Sequence, residues 1–282
     1  MSMFSDSGPG IMQGRLLPAL NGRLQGFPAD NWREEFDLAA RMNLINIEWI
    51  YEEENESLNP LVNGRIEEIR EAMDSTGVRV PSVCADYFMD RPWIRAGTRD
   101  RLELSRKLVR LVEAAASLGS GCVDLPFLDS SSLGEGIEFG EVREFVEPAL
   151  EVALAYEVLV CLETDLDPAS VRSLLESLDH PAVAVCYDTG NSASLGHDMR
   201  QEFAVYGSRI CSVHIKDRLL NGGTVPLGTG ATNFEALFSQ LENVSYRGPL
   251  ILQAAREDDS LEAARRSIEF VHKYVTPGGL RC

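Results

Sequence analysis

The chain has 282 residues, 44% hydrophobic and 25% charged, a composition that excludes disordered, collagenous and membrane-embedded classes. Twenty-six Lys and Arg against 44 Asp and Glu leave a net charge of −18, a field that repels phosphodiester backbones and anionic lipid, so neither nucleic acid nor membrane is expected as a partner. The opening MSMFSDSGPG lacks a basic segment followed by an apolar stretch, and the six cysteines are therefore read as reduced thiols of a cytoplasmic protein.

Taken in chain order, apolar runs predict strands at Ile11–Arg15, Leu44–Ile50, Val80–Cys84, Cys122–Pro126, Val158–Glu163, Val183–Asp188, Ile210–Ile215 and Leu250–Gln253. Apolar residues three and four apart predict helices at Trp32–Met42, Arg65–Ser75, Arg99–Leu118, Phe139–Ala155, Pro168–Leu178, Phe234–Leu241 and Ser260–Val275. Cys84, Cys122, Cys161, Cys186 and Cys211 each fall inside a strand-like run, with no CxxC or close Cys/His pair to suggest a metal finger. Alternating units of about 35 residues predict an α/β fold of the (β/α)8 TIM-barrel kind, which takes roughly 250 residues. The alternative, a doubly wound sheet, lacks its glycine-rich phosphate turn, since NGRLQG does not have G-x-G-x-x-G spacing. No linker or break in composition divides residues 1–282, so a single domain is expected.

A TIM barrel builds its active site where strands end, which makes polar residues at the tips of apolar runs informative. Glu48, Asp86, Asp124, Glu163, Asp188, His214 and Gln253 occupy such tips. Two-residue alternation puts Cys161 with Glu163, Cys186 with Asp188, Ser212 with His214 and Ile251 with Gln253 on one face of their strands. If that face is inward, four consecutive strands deliver two carboxylates, an imidazole and an amide to one volume. A divalent cation is the common way to compensate such a buried set.

Glu163, YDTGN (Tyr187–Asn191), VHIKD (Val213–Asp217) and PLGTGATNF (Pro226–Phe234), with the opening IMQGRL, resemble the xylose-isomerase-like TIM barrels. That superfamily holds sugar and sugar-phosphate isomerases and epimerases, cyclitol dehydratases and a DNA-repair endonuclease branch. The H-x-K-D segment followed by P-x-G-x-G is most similar to its pentulose- and hexulose-phosphate 3-epimerases. The resemblance implies a divalent metal (Mn, Zn, Co or Mg) held by Glu163, Asp188, His214 and Gln253, and a homo-oligomer. Gln253 departs from the family's second glutamate, because an amide oxygen can ligate a metal but cannot accept a proton at neutral pH.

The expected activity is therefore proton abstraction alpha to a carbonyl of a small sugar or sugar phosphate, with Glu163 as base and Lys216 as a second acid. Substrate-binding residues are expected at Arg15, Glu48, Asp86, Asn191, His197, Arg218 and Arg256, with the PLGTG amides open to an anionic group. Trp49 and Tyr87 are candidates for stacking on a sugar ring or for ordinary packing. Two other readings stay open: a dehydratase of a keto-cyclitol or sugar acid, and a sugar-binding barrel whose catalysis is impaired by Gln253. Few histidines and the acidic charge argue against the endonuclease branch, whose trinuclear site needs more His ligands.

Overall fold

Short runs rich in β-branched residues and cysteine form the strands of a closed parallel barrel, whose interior they fill with side chains from alternate positions. The computed structural model describes residues 8–19, 22–134, 136–276 and 279–280. The strands are β1 (Pro9–Met12), β2 (Asn46–Ile50), β3 (Ser82–Cys84), β4 (Cys122–Phe127), β5 (Leu159–Thr164), β6 (Val183–Asp188), β7 (Ile210–Ile215) and β8 (Leu250–Leu252). Each pairs with its neighbours in sequence, and β1 closes the ring against β8 through Pro9↔Leu250, Gly10↔Ile251 and Ile11↔Leu252. The α/β TIM-barrel expectation holds.

The helices form because their apolar stripes match the outer surface of this barrel. Phe139–Ala155 buries Val142, Phe145, Val146, Ala149, Leu150 and Ala153, the three- and four-residue rhythm of one helix face. Asp167 starts Pro168–Leu178 by accepting from the Ala169 and Ser170 amides, with proline at the first helical position, and Asp259 caps Ser260–Val271 through the Glu262 amide. Such a cap is worth about 1 kcal/mol. Trp49 belongs to this outer layer: fully buried, it packs against Phe27, Trp32 and Phe36 and donates its indole N–H to Asn59 Oδ1 at 3.0 Å. Of its two candidate roles the structure assigns packing. Tyr87 is buried too, stacked on Tyr51 at 5.1 Å with Lys107 over its ring.

Several boundaries differ from expectation. β1 ends at Met12 instead of reaching Arg15, because Glu35 draws the chain off the barrel by accepting from the amides of Gly14 (2.7 Å) and Leu16 (3.0 Å). The last long helix stops at Val271, four residues short of Val275, which lies in a strand bridge. Helices at Tyr87–Asp90, Thr189–Leu195 and Met199–Tyr206 were not foreseen.

The expectation of free thiols needs a larger correction. Cys161 of β5 and Cys211 of β7 are joined as a disulfide, their Cα atoms 6.8 Å apart, whereas Cys84, Cys122 and Cys186 are buried free thiols. Cys282 lies outside the described residues. The physical reason is an irregularity of the ladder: Val185 pairs Ile210 and Cys186 pairs Ser212, so Cys211 is the extra residue between them and escapes the strict alternation of β7, and it packs with Cys122, Cys161, Cys186 and Ala184 in one cluster at the floor of the barrel. Among the described residues, no helix is long and apolar enough to cross a membrane.

Candidate active site and metal centre

Barrel register decides which strand-end groups meet. Asp188 is level with His214, and His214 is level with Ile251, so Gln253 stands just above the imidazole at the mouth. Glu163 is reached along β5 by the alternation that points Cys161 inward. One ligand atom each from Glu163, Asp188 and His214 lie within 4.8 Å of one another, and all three residues are buried.

Each ligand candidate is held by a specific neighbour. Glu163 Oε1 accepts from Asn191 Nδ2 at 2.9 Å, while Oε2 stands 3.7 Å from His214 Nδ1. Asp188 Oδ1 accepts the amides of Gly190 (2.9 Å) and Asn191 (2.8 Å), capping Thr189–Leu195, and its Oδ2 faces Lys216 Nζ at 3.2 Å. A Cβ at Gly190 would stand 2.8 Å from Lys216 Cγ, so glycine there leaves room for the lysine to reach Asp188. Gln253 donates from Nε2 to Gln25 Oε1 at 3.1 Å, which turns its own Oε1 the other way.

Two of the atoms that a cation would use have no partner among the described residues. His214 Nδ1 and Gln253 Oε1 are buried and make no hydrogen bond, an expensive arrangement in a barrel core unless a ligand completes it. With Glu163 and Asp188 they offer two carboxylate oxygens, an imidazole nitrogen and an amide oxygen, a donor set suited to Mn, Zn, Co or Mg. The chain's residues fit the metal.

Beneath the set, His214 Nε2 faces Glu48 Oε2 at 2.9 Å, Asp124 Oδ2 at 3.5 Å and Cys186 Sγ at 3.6 Å. Ser82 Oγ donates to Glu48 Oε1 at 2.6 Å. Glu48, Asp124 and His214 are completely buried. Burial works against both members of the His214–Glu48 pair, yet their attraction holds Glu48 down at about 2, and Cys186 and Glu48 together lift His214 well above the ordinary imidazole value. Asp124, buried beside a carboxylate that is already ionised, is pushed well above the usual range. A carboxylate behind the far nitrogen of a ligating histidine fixes the ring and its tautomer. At the mouth, burial raises Glu163 to about 7, with His214 opposing and Asp188 reinforcing the rise.

Above these residues opens a cavity of about 600 Å³, lined by Glu163, Gln253, Asp86, Asn191, Lys216 and Arg218 together with Gln25, Leu24 and Thr224. Arg218 donates to Asn191 Oδ1 at 2.9 Å and to the Gly222 carbonyl at 3.0 Å. Not every expected binding residue reaches this wall. Glu48 lies below it, against His214. His197 lines a separate small pocket and stands 3.6 Å from Glu202, which also accepts from Tyr187, Ser192 and Tyr206. Arg256 gives its N–H groups to the carbonyls of Gly14, Leu17 and Leu24, and Arg15 reaches the Ala254 carbonyl at 2.8 Å. Both arginines therefore join the loops after β1 and β8.

The PLGTG amides, expected to meet an anionic group, are consumed by the protein itself. Gly228 and Gly230 donate to Asp217 Oδ2, at 2.9 and 2.8 Å, and Thr232 donates to its Oδ1. A Cβ at position 230 would fall 2.3 Å from that carboxylate, so Gly230 allows the close approach. Gln25 was missed in the sequence. It accepts from Gln253 and donates to Asp86 Oδ2 at 2.6 Å, but its loop carries no periodic signal that would have drawn attention to it.

The model of the xylose isomerase-like TIM barrel matches residues 36–274. A putative L-ribulose-5-phosphate 3-epimerase, SgbU, of Escherichia coli is 28% identical over 244 residues, covering 79% of this chain and 83% of that protein. The L-ribulose-5-phosphate 3-epimerase UlaE of Shigella flexneri is 26% identical over 264 residues, covering 88% and 92%. Among solved structures, the apo form of the 3-keto-D-glucoside 4-epimerase YcjR from Escherichia coli superposes with a TM-score of 0.72 at 22% identity, covering 95% of this chain and 99% of that one.

Proposed function

Because the chain belongs to the xylose isomerase-like TIM barrel family, we propose that it is a divalent-metal-dependent isomerase or epimerase of a small ketose or ketose phosphate. The observation that carries this reading is the buried cluster of Glu163, Asp188 and His214 with Gln253 beside it, His214 Nδ1 and Gln253 Oε1 having no hydrogen-bond partner among the described residues. When bound, the metal would supply positive charge that polarises the substrate's carbonyl and the adjacent hydroxyl.

The chain's own side chains then divide the work. Glu163, a carboxylate at the cavity wall, is the base that takes the proton alpha to the carbonyl. Asn191 holds Oε1 of that carboxylate and so fixes the direction of Oε2. Lys216, anchored on Asp188, presents its ammonium to the cavity, where it acts as an acid toward charge developing on a substrate oxygen. Arg218 orients Asn191 and stands at the cavity wall, placed for a phosphate or a distal hydroxyl.

The test is incubation of metal-supplemented protein with L-ribulose 5-phosphate, L-ribulose and other small ketoses in deuterated water. The expected result is deuterium at the carbon alpha to the carbonyl in a product of unchanged formula. Loss of water from the substrate would favour a dehydratase, and absence of exchange with every ketose would contradict the reading.

A further inference from the structure

Gln253 closes the usual position to proton transfer, because its Nε2 is committed to Gln25 and its carboxamide has no titratable oxygen. Yet the hydrogen-bond chain does not end there. Gln25 donates onward to Asp86 Oδ2 at 2.6 Å, and Cys84 Sγ, 3.2 Å away, meets Oδ1. A carboxyl group is thereby fixed in the cavity wall just past the end of β3, one side chain removed from position 253.

We propose that Asp86 is a second catalytic acid–base group, the one that exchanges a proton with the face of the substrate not served by Glu163. This rests on the proton-abstraction reading above. Other carboxylates at the cavity wall outside the metal set are poorer candidates: Asp129 is exposed and Asp165 is half-buried, whereas Asp86 is buried and held by named partners. Glu163 is tied to the opposite neighbours, Asn191 and His214, so the two carboxyl groups reach the cavity from different sides.

The proton count closes. The Cα–H bond breaks with its proton passing to the Glu163 carboxylate, and the electron pair moves into the enediolate. The Asp86 O–H bond then breaks as a new C–H bond forms on the other face, leaving Glu163 protonated and Asp86 ionised. Exchange with water through the open mouth restores both. Without Asp86, Glu163 alone can return a proton only to the face from which it came.

The experiment compares the parent with Asp86→Asn, Asp86→Glu and Glu163→Gln, each loaded with Mn2+ and checked for metal content, using L-ribulose and L-ribulose 5-phosphate in deuterated water. Asp86→Asn is expected to keep deuterium wash-in to recovered substrate within about threefold of the parent and to lose formation of the inverted sugar by about 100-fold or more. Asp86→Glu should recover part of the inversion, and Glu163→Gln should lose both readouts. Inversion at the parental rate in Asp86→Asn overturns the proposal, as does loss of exchange and inversion together with metal content intact. A parent that exchanges no proton refutes the broader reading and the role of Asp86 with it, whereas a parent that exchanges while Asp86→Asn inverts normally refutes only the latter.

Discussion

Among the described residues, His214 Nδ1 and Gln253 Oε1 at the ends of β7 and β8 are potential cation ligands without a hydrogen-bond partner, whereas on the side of β1 to β3 the carboxylates of Glu35, Glu52 and Asp86 are taken up by donors of the chain and the unpartnered atoms of Gln13, Arg15 and Arg23 are themselves N–H donors. There Glu35 accepts two backbone amides, Glu52 accepts Arg23 and the Phe27 amide, and Asp86 accepts Gln25. Both halves bury acidic groups in the same barrel. On the proposed reading, one half is where an incoming cation would be stabilised and the other is a frame that holds loops and the Asp86 carboxyl in position.

The sharpest way to break this comparison is to remove the base from the vacant half. Glu163→Gln is expected to cut alpha-proton exchange by about 10²- to 10⁴-fold, read by deuterium incorporation, while circular dichroism stays that of the parent. Normal exchange in this variant would transfer the base role to another residue, with Lys216 the first to examine.

Acidity probes both halves at once. Glu163 and Glu35 are raised to about 7 and Asp86 to about 6, each chiefly by burial, so the folded protein holds protons that the unfolded chain releases near pH 4. Their stabilisation is complete below those unfolded values and is lost as pH rises through 6 to 7. Metal-free protein should therefore lose on the order of a few kcal/mol between pH 5 and 7.5 in urea titrations, relative to a Glu35→Gln, Asp86→Asn, Glu163→Gln triple variant. Identical pH dependence in the two proteins would contradict these assignments.

Arg256 and Arg218 separate frame from cavity. Arg256→Ala removes a guanidinium that serves the Gly14, Leu17 and Leu24 carbonyls, and should cost about 2–3 kcal/mol in denaturant unfolding. Arg218→Ala should leave stability nearly unchanged and raise KM for a phosphorylated ketose; an unchanged KM would point to a neutral sugar. Smaller still is the effect of Glu48→Gln, which weakens the support behind His214 and should loosen metal binding by about tenfold without abolishing it.

Much of this arrangement was legible in the sequence because two-residue alternation and strand-end placement are local properties. All eight strands, and the clustering of Glu163, Asp188 and His214, follow from them. What was not legible depends on contacts between distant segments. Gln25 matters only because the loop after β1 crosses the mouth to meet Asp86 and Gln253. The Cys161–Cys211 pair requires β5 and β7 to meet across the barrel floor, which no spacing along one strand reveals. Thr189–Leu195 is not among the predicted helices, yet Asp188 starts a helix there by capping it the moment β6 ends. The glycines of PLGTG signalled a close approach correctly, but the approaching group is Asp217 of the same chain.

Coordination of a divalent cation by Glu163, Asp188, His214 and Gln253 is read by Mn2+ binding followed by pulsed electron paramagnetic resonance. Stoichiometric binding with a directly coordinated histidine nitrogen is expected, a signal lost in His214→Gln and kept in His197→Gln. Failure to bind Mn2+, Zn2+, Co2+ and Mg2+ alike, or a histidine coupling that survives His214→Gln, would contradict it.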